Sequence, residues 1–125
     1  HINHAVISDG CIINHATISN SVVGLRTLVG PGTVMNRVVV LGCDFYESQV
    51  SIEEHERDGK PRIGIGSNCK IENAIIDKNA RIGAGCRLAP TGLPEKWETD
   101  ALFVRDGVIV VKKGAIVPPG TIVGE

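Results

Sequence analysis

The sequence predicts an all-β fold, a solenoid of the β-helix type whose coils each have three flat sides. Aliphatic residues recur in the central stretch with gaps of six, five, six and six, at Ile65, Ile71, Ile76, Ile82 and Leu88. That spacing fits neither the 3.6-residue period of a helix nor the two-residue period of a half-buried strand. A small residue follows three of these aliphatics by four positions, at Cys69, Ala80 and Cys86. This pairing of large and small inward side chains is typical of a hexapeptide β-helix.

The composition agrees with a solenoid and disfavours two classes of function. Aromatic residues make up only 3% of the 125-residue chain, and short β-branched side chains suit a narrow interior. The net charge of −1 argues against nucleic-acid binding, which usually needs a basic excess. A membrane span would need about 18 consecutive apolar residues, and the sequence holds no such run. We therefore expect neither a nucleic-acid nor a membrane partner.

The chain length fits a single domain, which we place over residues 1–125. The repeat is already under way at Ile2, without the polar cap that usually closes a solenoid. We therefore expect the chain to be a piece of a longer protein.

The same repeat predicts the inward residues of the remaining coils. Predicted large inward residues outside the central stretch are Ile2, Ile7, Ile13, Ile18, Val23, Val29, Val34, Val39, Val110, Ile116 and Ile122. Predicted small inward residues are Cys11, Thr17, Thr27, Thr33 and Cys43. The four cysteines form no C-x-x-C pair, so we expect reduced, buried thiols in a cytosolic-type compartment and no metal site.

Two segments lack the six-residue period and are predicted to leave the solenoid, at about residues 44–62 and 89–109. The first excursion is highly charged, with a short helical turn around Ser51–Arg57. It is a solvated loop or a contact arm for a neighbouring domain or subunit. The second excursion contains Trp97 as an interface or packing anchor. It ends in a β-hairpin whose turn is Arg105–Gly107.

Four motifs carry a resemblance to a known family. They are AIIDKNARIG at 74–83, GVIVVKKGAIVPPGTIV at 107–123, SVVGLR at 21–26 and LGCDFYES at 41–48. Over essentially the whole chain, the sequence resembles the C-terminal domain of ADP-glucose pyrophosphorylase (glucose-1-phosphate adenylyltransferase) of the plant and cyanobacterial type. The resemblance implies a left-handed parallel β-helix, an exception to the usual right-handed crossover.

The resemblance also implies a function. The family's enzymes convert ATP and glucose 1-phosphate to ADP-glucose and pyrophosphate, for starch or glycogen synthesis. Catalysis belongs to an N-terminal Rossmann-like domain that uses Mg²⁺, so this chain alone should hold no cofactor and be inactive. The β-helix domain supports tetramer assembly and supplies part of the site for the activator 3-phosphoglycerate, with phosphate as the opposing inhibitor. The expected location is the cytoplasm, or the plastid stroma in a plant.

The family's activator-binding lysines fall on Lys78 and Lys113, with Lys112 preceding the second where the family commonly has an apolar residue. Arg81 is a further candidate, because it lies close to Lys78 in sequence. The spacing supports the pair, since Ile76 and Val110 are predicted on the same side of consecutive coils. Strands lie about 4.8 Å apart, so the lysines would repel one another unless an anion lay between them. An ammonium cluster of this kind can hold a phosphorylated carboxylate.

Two other functions are compatible with a hexapeptide β-helix. A trimeric acyltransferase would use a catalytic histidine between coils, and His4 or His15 would have to serve. A purely structural oligomerisation domain would bind no ligand. A γ-type carbonic anhydrase is disfavoured, because the sequence shows no three-histidine metal pattern.

Overall fold

The computed structural model describes residues 1–124 as a series of short strands and one helix. The strands up to the helix are β1 (Ile2–Asn3), β2 (Val6–Ile7), β3 (Ile12–Ile13), β4 (Thr17–Ser19), β5 (Val22–Val23), β6 (Leu28–Val29) and β7 (Val34–Val40). Helix α1 (Gln49–Arg57) is followed by β8 (Gly64–Ile65), β9 (Lys70–Ile76), β10 (Arg81–Ile82), β11 (Arg87–Leu88), β12 (Trp97–Glu98), β13 (Leu102–Arg105), β14 (Val108–Val111), β15 (Ile116–Val117) and β16 (Ile122–Val123).

The strands form three faces of parallel sheet, as the six-residue repeat predicts. The first face contains β1, β4, the first half of β7, the first half of β9, β11 and β16. The second contains β2, β5, the other halves of β7 and β9, and β14. The third contains β3, β6, β8, β10 and β15. Each strand therefore pairs with its counterpart one coil away, and the core is the lumen that the faces enclose.

The inward residues of each face stack in register. On the first face, Ile18, Met35, Ile71 and Leu88 are aligned and 0–1% exposed. The third face has the same arrangement, with Val29, Ile65, Ile82 and Val117 in line. Because the aligned side chains close the lumen along its length, the apolar core is one continuous cluster.

Five predicted inward residues point outward instead. They are Val34, Val39, Val110, Ile116 and Ile122, and their chain neighbours Met35, Val40, Val111, Val117 and Val123 occupy the inward positions. In each case two aliphatic residues are adjacent, and successive side chains of a strand face opposite sides. The repeat gives the period, but it does not say which of two neighbouring aliphatics faces inward.

The small inward positions are mostly as predicted. Thr27, Thr33, Cys43, Cys69, Ala80 and Cys86 are buried. Thr17 is only half-buried, and Ala16 takes the inward position beside it. All four cysteines are free thiols, and three of them are buried.

The first excursion joins β7 to β8 and contains α1, so the predicted helical turn is confirmed and is longer than expected. Ser48 begins the helix, and its side chain accepts a hydrogen bond from the Ser51 N–H at 3.1 Å. Ile52 is the buried residue of the helix. Beyond Arg57 the chain returns to the third face at β8.

The second excursion leaves the solenoid after β11 and forms a small antiparallel sheet. Strands β12, β13 and β14 pair in that order, and β14 also pairs in parallel with β9. The predicted hairpin is confirmed as β13 and β14. Trp97 is half-buried and packs against the core, which confirms its packing role.

We expect Gly107→Ala to lower the free energy of unfolding by about 1–2 kcal/mol, because Gly107 has φ of +74° and alanine is strained there. The added Cβ would have no heavy atom within 4 Å, so the cost is that of the backbone conformation alone. Urea denaturation at unchanged m-value measures it. No loss of stability would show that the turn does not need a glycine.

Candidate functional site

Two of the three predicted lysines, Lys78 and Lys113, lie at the corner between the second and third faces. We call the group formed by Asp44, Lys78, Asn79 and Lys113 the lysine corner. Lys78 and Lys113 are exposed and follow strands β9 and β14 by two residues. The corner therefore presents two cations on adjacent coils.

The strand register places the two lysines at equivalent positions. Ile76 pairs with Val111, not with the predicted Val110, and each lysine lies two residues beyond its member of this pair. The Gly114 N–H donates to the Lys78 carbonyl at 2.8 Å, so the two corners are stacked. The correction of one residue in register makes Lys113, and not Lys112, the counterpart of Lys78.

Asp44 lies beside Lys78 and is held by Asn79. The Asp44 N–H donates to Asn79 Oδ1 at 2.9 Å, and Asn79 Nδ2 donates to Asp44 Oδ2 at 3.0 Å. Lys78 Nζ is 3.4 Å from Asp44 Oδ1. Asn79 adopts φ of +62°, a conformation that asparagine tolerates and that turns its side chain toward Asp44. The first residue of the first excursion is thus fixed to the coil that carries Lys78.

The charges of this corner act on one another. The hydrogen bond from Asn79, followed by the charges of Lys78 and Lys113, lowers the pKa of Asp44 below its ordinary value. Asp44 is therefore ionised at neutral pH. Within residues 1–124, Lys113 makes no ion pair at 4.0 Å or less. Its ammonium group is available to an anion from solution.

Lys112 points away from the lysine corner. Its Nζ is 3.0 Å from Glu98 Oε2 and donates to the Thr99 carbonyl at 3.0 Å, both on the second excursion. The same ammonium lies 6.0 Å from the centre of the Phe103 ring. Lys112 therefore ties the second excursion to β14, and the structure does not bring it together with Lys78.

Arg81 is likewise engaged elsewhere. Its Nη1 lies 2.9 Å from Glu47 Oε1 and donates to the Pro61 carbonyl at 3.1 Å. The Arg81 side chain is 14% exposed and the Glu47 side chain 2%. Arg81 therefore fastens the first excursion to β10, and its predicted part in an anion site has no direct contact with Lys78 to support it.

Glu47 is the centre of a buried polar network that the sequence did not reveal. Besides Arg81, its carboxylate accepts hydrogen bonds from the Ile63 N–H at 2.6 Å and the Ser51 hydroxyl at 3.3 Å, and lies 2.9 Å from His55 Nδ1. His55 is half-buried in this network. The network holds both ends of the first excursion in place.

Comparison with known proteins identifies the family of the chain. The family model for the GLGC left-handed parallel beta-helix domain matches residues 1–122. The chain belongs to this family. A curated relative, the chloroplastic/amyloplastic small subunit of glucose-1-phosphate adenylyltransferase from Triticum aestivum, is 36% identical over 124 residues. The match covers 98% of this chain and 26% of that relative, so the chain spans about a quarter of the relative's length.

Membership of the GLGC β-helix family confirms the predicted resemblance and the left-handed coil. It also leaves His4 and His15 without the role that an acyltransferase would give them. Both are exposed corner residues with φ of +51° and +53°, and they lie at different corners of the coil. His4 precedes the second face, whereas His15 follows the third.

Among the residues described, no group of three or more His, Cys, Asp or Glu side chains is placed to hold a metal ion. The helix found between residues 1 and 124 is too short and too polar to cross a membrane.

Sequence reasoning also missed the role of Asp44 and Asn79 in this domain. Both belong to motifs that the sequence singled out, LGCDFYES and IDKNARIG, but they are 35 residues apart. Their contact depends on how the first excursion leaves the solenoid. The one signal in the sequence was the asparagine, Asn79, that directly follows Lys78 at a corner.

Proposed function

We propose that this chain is a regulatory and assembly domain of a glucose-1-phosphate adenylyltransferase. In this proposal the parent enzyme makes ADP-glucose and pyrophosphate from ATP and glucose 1-phosphate. Membership of the GLGC β-helix family and the name of the wheat relative support it. Catalysis and its Mg²⁺ are assigned to a separate N-terminal domain, so that the chain alone is inactive. By analogy with the relative's name, the location is a plastid if the source is a plant, and otherwise the cytoplasm.

The observation that carries the regulatory part is the stacking of Lys78 and Lys113 at equivalent positions of adjacent coils. Two ammonium groups on neighbouring strands repel each other, and an anion between them relieves that repulsion. A phosphate group carries a charge of about −1.5 to −2 at pH 7 and offers several acceptor oxygens. The proposed ligands are therefore phosphorylated anions, with 3-phosphoglycerate as activator and inorganic phosphate as its competitor.

Activation also requires a second state of the enzyme. A ligand shifts an equilibrium only if it binds the two states with different affinity. We assign that difference to the seam between this domain and the catalytic domain, where the lysine corner would approach different groups in each state. Without the catalytic domain, anion binding at the lysine corner would then have no second state to shift.

The assembly part is supported by an apolar row on the outer surface of the second face. Val6, Val22, Val39, Ile75 and Val110 are paired in sequence across the strands, and the first three are 38–63% exposed. Parallel sheets are usually covered on both faces. In this proposal the row is buried against the parent's own catalytic domain or a neighbouring subunit of a tetramer.

Substitution of the two neighbouring lysines tests the proposed site in the full-length enzyme. We expect Lys113→Ala to raise the 3-phosphoglycerate concentration for half-activation about tenfold or more, because a charge-assisted contact is lost. The rate without activator should change little. Lys112→Ala is the matched control, and its effect on activation should be much smaller, because Lys112 is paired with Glu98. An unchanged activation constant in Lys113→Ala would remove the case for the site.

A further inference from the structure

Asp44 is the carboxylate of the lysine corner, and it contacts Lys78. Its Oδ1 is 3.4 Å from Lys78 Nζ, and its side chain is 49% exposed, so solvent reaches the pair. The pKa of Asp44 is lowered by Asn79 first and then by Lys78 and Lys113, so the second ammonium also acts on this carboxylate. The Asp44 carboxylate therefore pairs with Lys78 and lies close enough to Lys113 to feel its charge.

The position of Asp44 is fixed by the fold. Its N–H and its Oδ2 both bond to the side chain of Asn79, at 2.9 and 3.0 Å. Glu47, three residues further on, is anchored in the buried network with Arg81. The carboxylate of Asp44 can therefore leave Lys78 by a side-chain rotation, while the first excursion stays attached through Glu47.

The formal charges of Lys78, Lys113 and Asp44 determine how strongly the corner attracts an anion. With Lys78 and Lys113 at +1 each and Asp44 at −1, the group has a net charge of +1. A ligand that displaces the Asp44 carboxylate meets both ammonium groups, whereas a ligand that leaves it in place meets a half-neutralised pair. Exposed ion pairs are weak, so a phosphate can compete for the lysines with a single carboxylate.

We propose that the Asp44 carboxylate is a built-in competitor of the anionic effector, which must displace it from Lys78 in order to bind. This inference rests on the proposed anion site and adds its regulation. Asp44 lowers the affinity of the site, so that weakly bound anions do not fill it. Displacement also breaks the bond from Asn79 Nδ2 to Asp44 Oδ2, so occupation of the site removes one of the two bonds that hold the start of the first excursion.

The test uses inorganic phosphate as the probe and calorimetry of the chain as the measurement. We expect Asp44→Asn to bind phosphate about two- to fivefold more tightly, the range expected from removal of one exposed charge pair. The substitution is isosteric, and the new side-chain oxygen can still accept from Asn79 Nδ2. Asp9→Asn is the control, because it changes the net charge equally and lies at the same corner on the first coil. It should leave the affinity unchanged.

Displacement has its own spectroscopic signature. In the wild-type chain, phosphate should shift the side-chain amide resonances of Asn79, because Nδ2 loses its bond to Asp44 Oδ2. Asn79 resonances that do not move at saturating phosphate would overturn displacement. Equal tightening in Asp9→Asn and Asp44→Asn would overturn it too, since that result reflects net charge alone.

Lys113→Ala separates this inference from the proposed function. If Lys113→Ala weakens phosphate binding but Asp44→Asn does not tighten it, the anion site stands and the competitor role of Asp44 is wrong. If Lys113→Ala has no effect on phosphate binding, the site itself is wrong and the inference falls with it.

Discussion

Glu47→Ala is expected to lower the free energy of unfolding by about 3 kcal/mol, because it removes the counter-charge of the nearly buried Arg81 guanidinium and the acceptor of the Ile63 N–H. Removing one partner of a buried ion pair costs more than removing both, since the remaining charge stays desolvated. Urea denaturation measures the loss. Hydrogen exchange should show that helix α1 and Ile63 lose protection first.

Glu47→Gln is the matched control for the charge of this network. The glutamine oxygen can still accept from the Ile63 N–H, but the ion pair with Arg81 is gone. Its loss of stability should therefore be smaller than that of Glu47→Ala. A loss below about 1 kcal/mol in Glu47→Ala would mean that the first excursion is held by other contacts.

The pH dependence of stability gives a second readout of the same network. Burial of Glu47 acts to raise its pKa, but the hydrogen bonds from Ile63 and Arg81 and the charge of Arg81 outweigh it, so the pKa is lowered from 4.5. A carboxyl whose pKa is lower in the folded state stabilises the protein above its unfolded pKa. That contribution disappears as the pH falls through the lower, folded value. The unfolding free energy of Glu47→Gln should consequently fall less steeply below pH 4.5 than that of the wild type.

The period of the sequence was sufficient to predict the three-sided solenoid. The reason is physical: a narrow lumen accepts one large side chain per side, so Ile65, Ile71, Ile76, Ile82 and Leu88 must recur at that spacing. The choice within an aliphatic pair such as Val34 and Met35 depends on the strand register, which the period leaves open by one residue. For the same reason, the sequence predicted Val110 as the partner of Ile76, whereas the structure pairs Ile76 with Val111.

Prediction of the candidate site had a different limit. Lys78 and Lys113 could be placed together, because both follow strands of the same face. The partner of Lys112 could not be predicted, because Glu98 lies on the second excursion, which has no repeat. Asp44 also pairs across two segments whose approach is set by a loop. Repeats therefore predict contacts between coils, and contacts made by excursions need the three-dimensional structure.

Gly66→Ala is expected to lower the free energy of unfolding by about 3 kcal/mol or more, because the coils approach too closely for a side chain at that point. A Cβ on Gly66 would lie 2.7 Å from the Ala84 nitrogen and 2.9 Å from the Gly83 carbonyl carbon. Both neighbours are backbone atoms of the next coil and cannot rotate away. The coils would have to separate, which stretches the 2.9 Å hydrogen bond from the Gly66 N–H to the Ile82 carbonyl.

Gly107→Ala provides the comparison, because it makes the same chemical change in open space. Its cost comes from backbone strain alone, so Gly66→Ala should be clearly the more destabilising of the two in urea denaturation. Gly66 directly follows β8, at the corner between the third and first faces, whereas Lys78 lies at the corner between the second and third faces. The folded fraction of Gly66→Ala should therefore bind phosphate within about twofold of the wild type. Equal losses of stability in the two variants would show that the solenoid can widen locally, and that coil spacing is not set by this glycine.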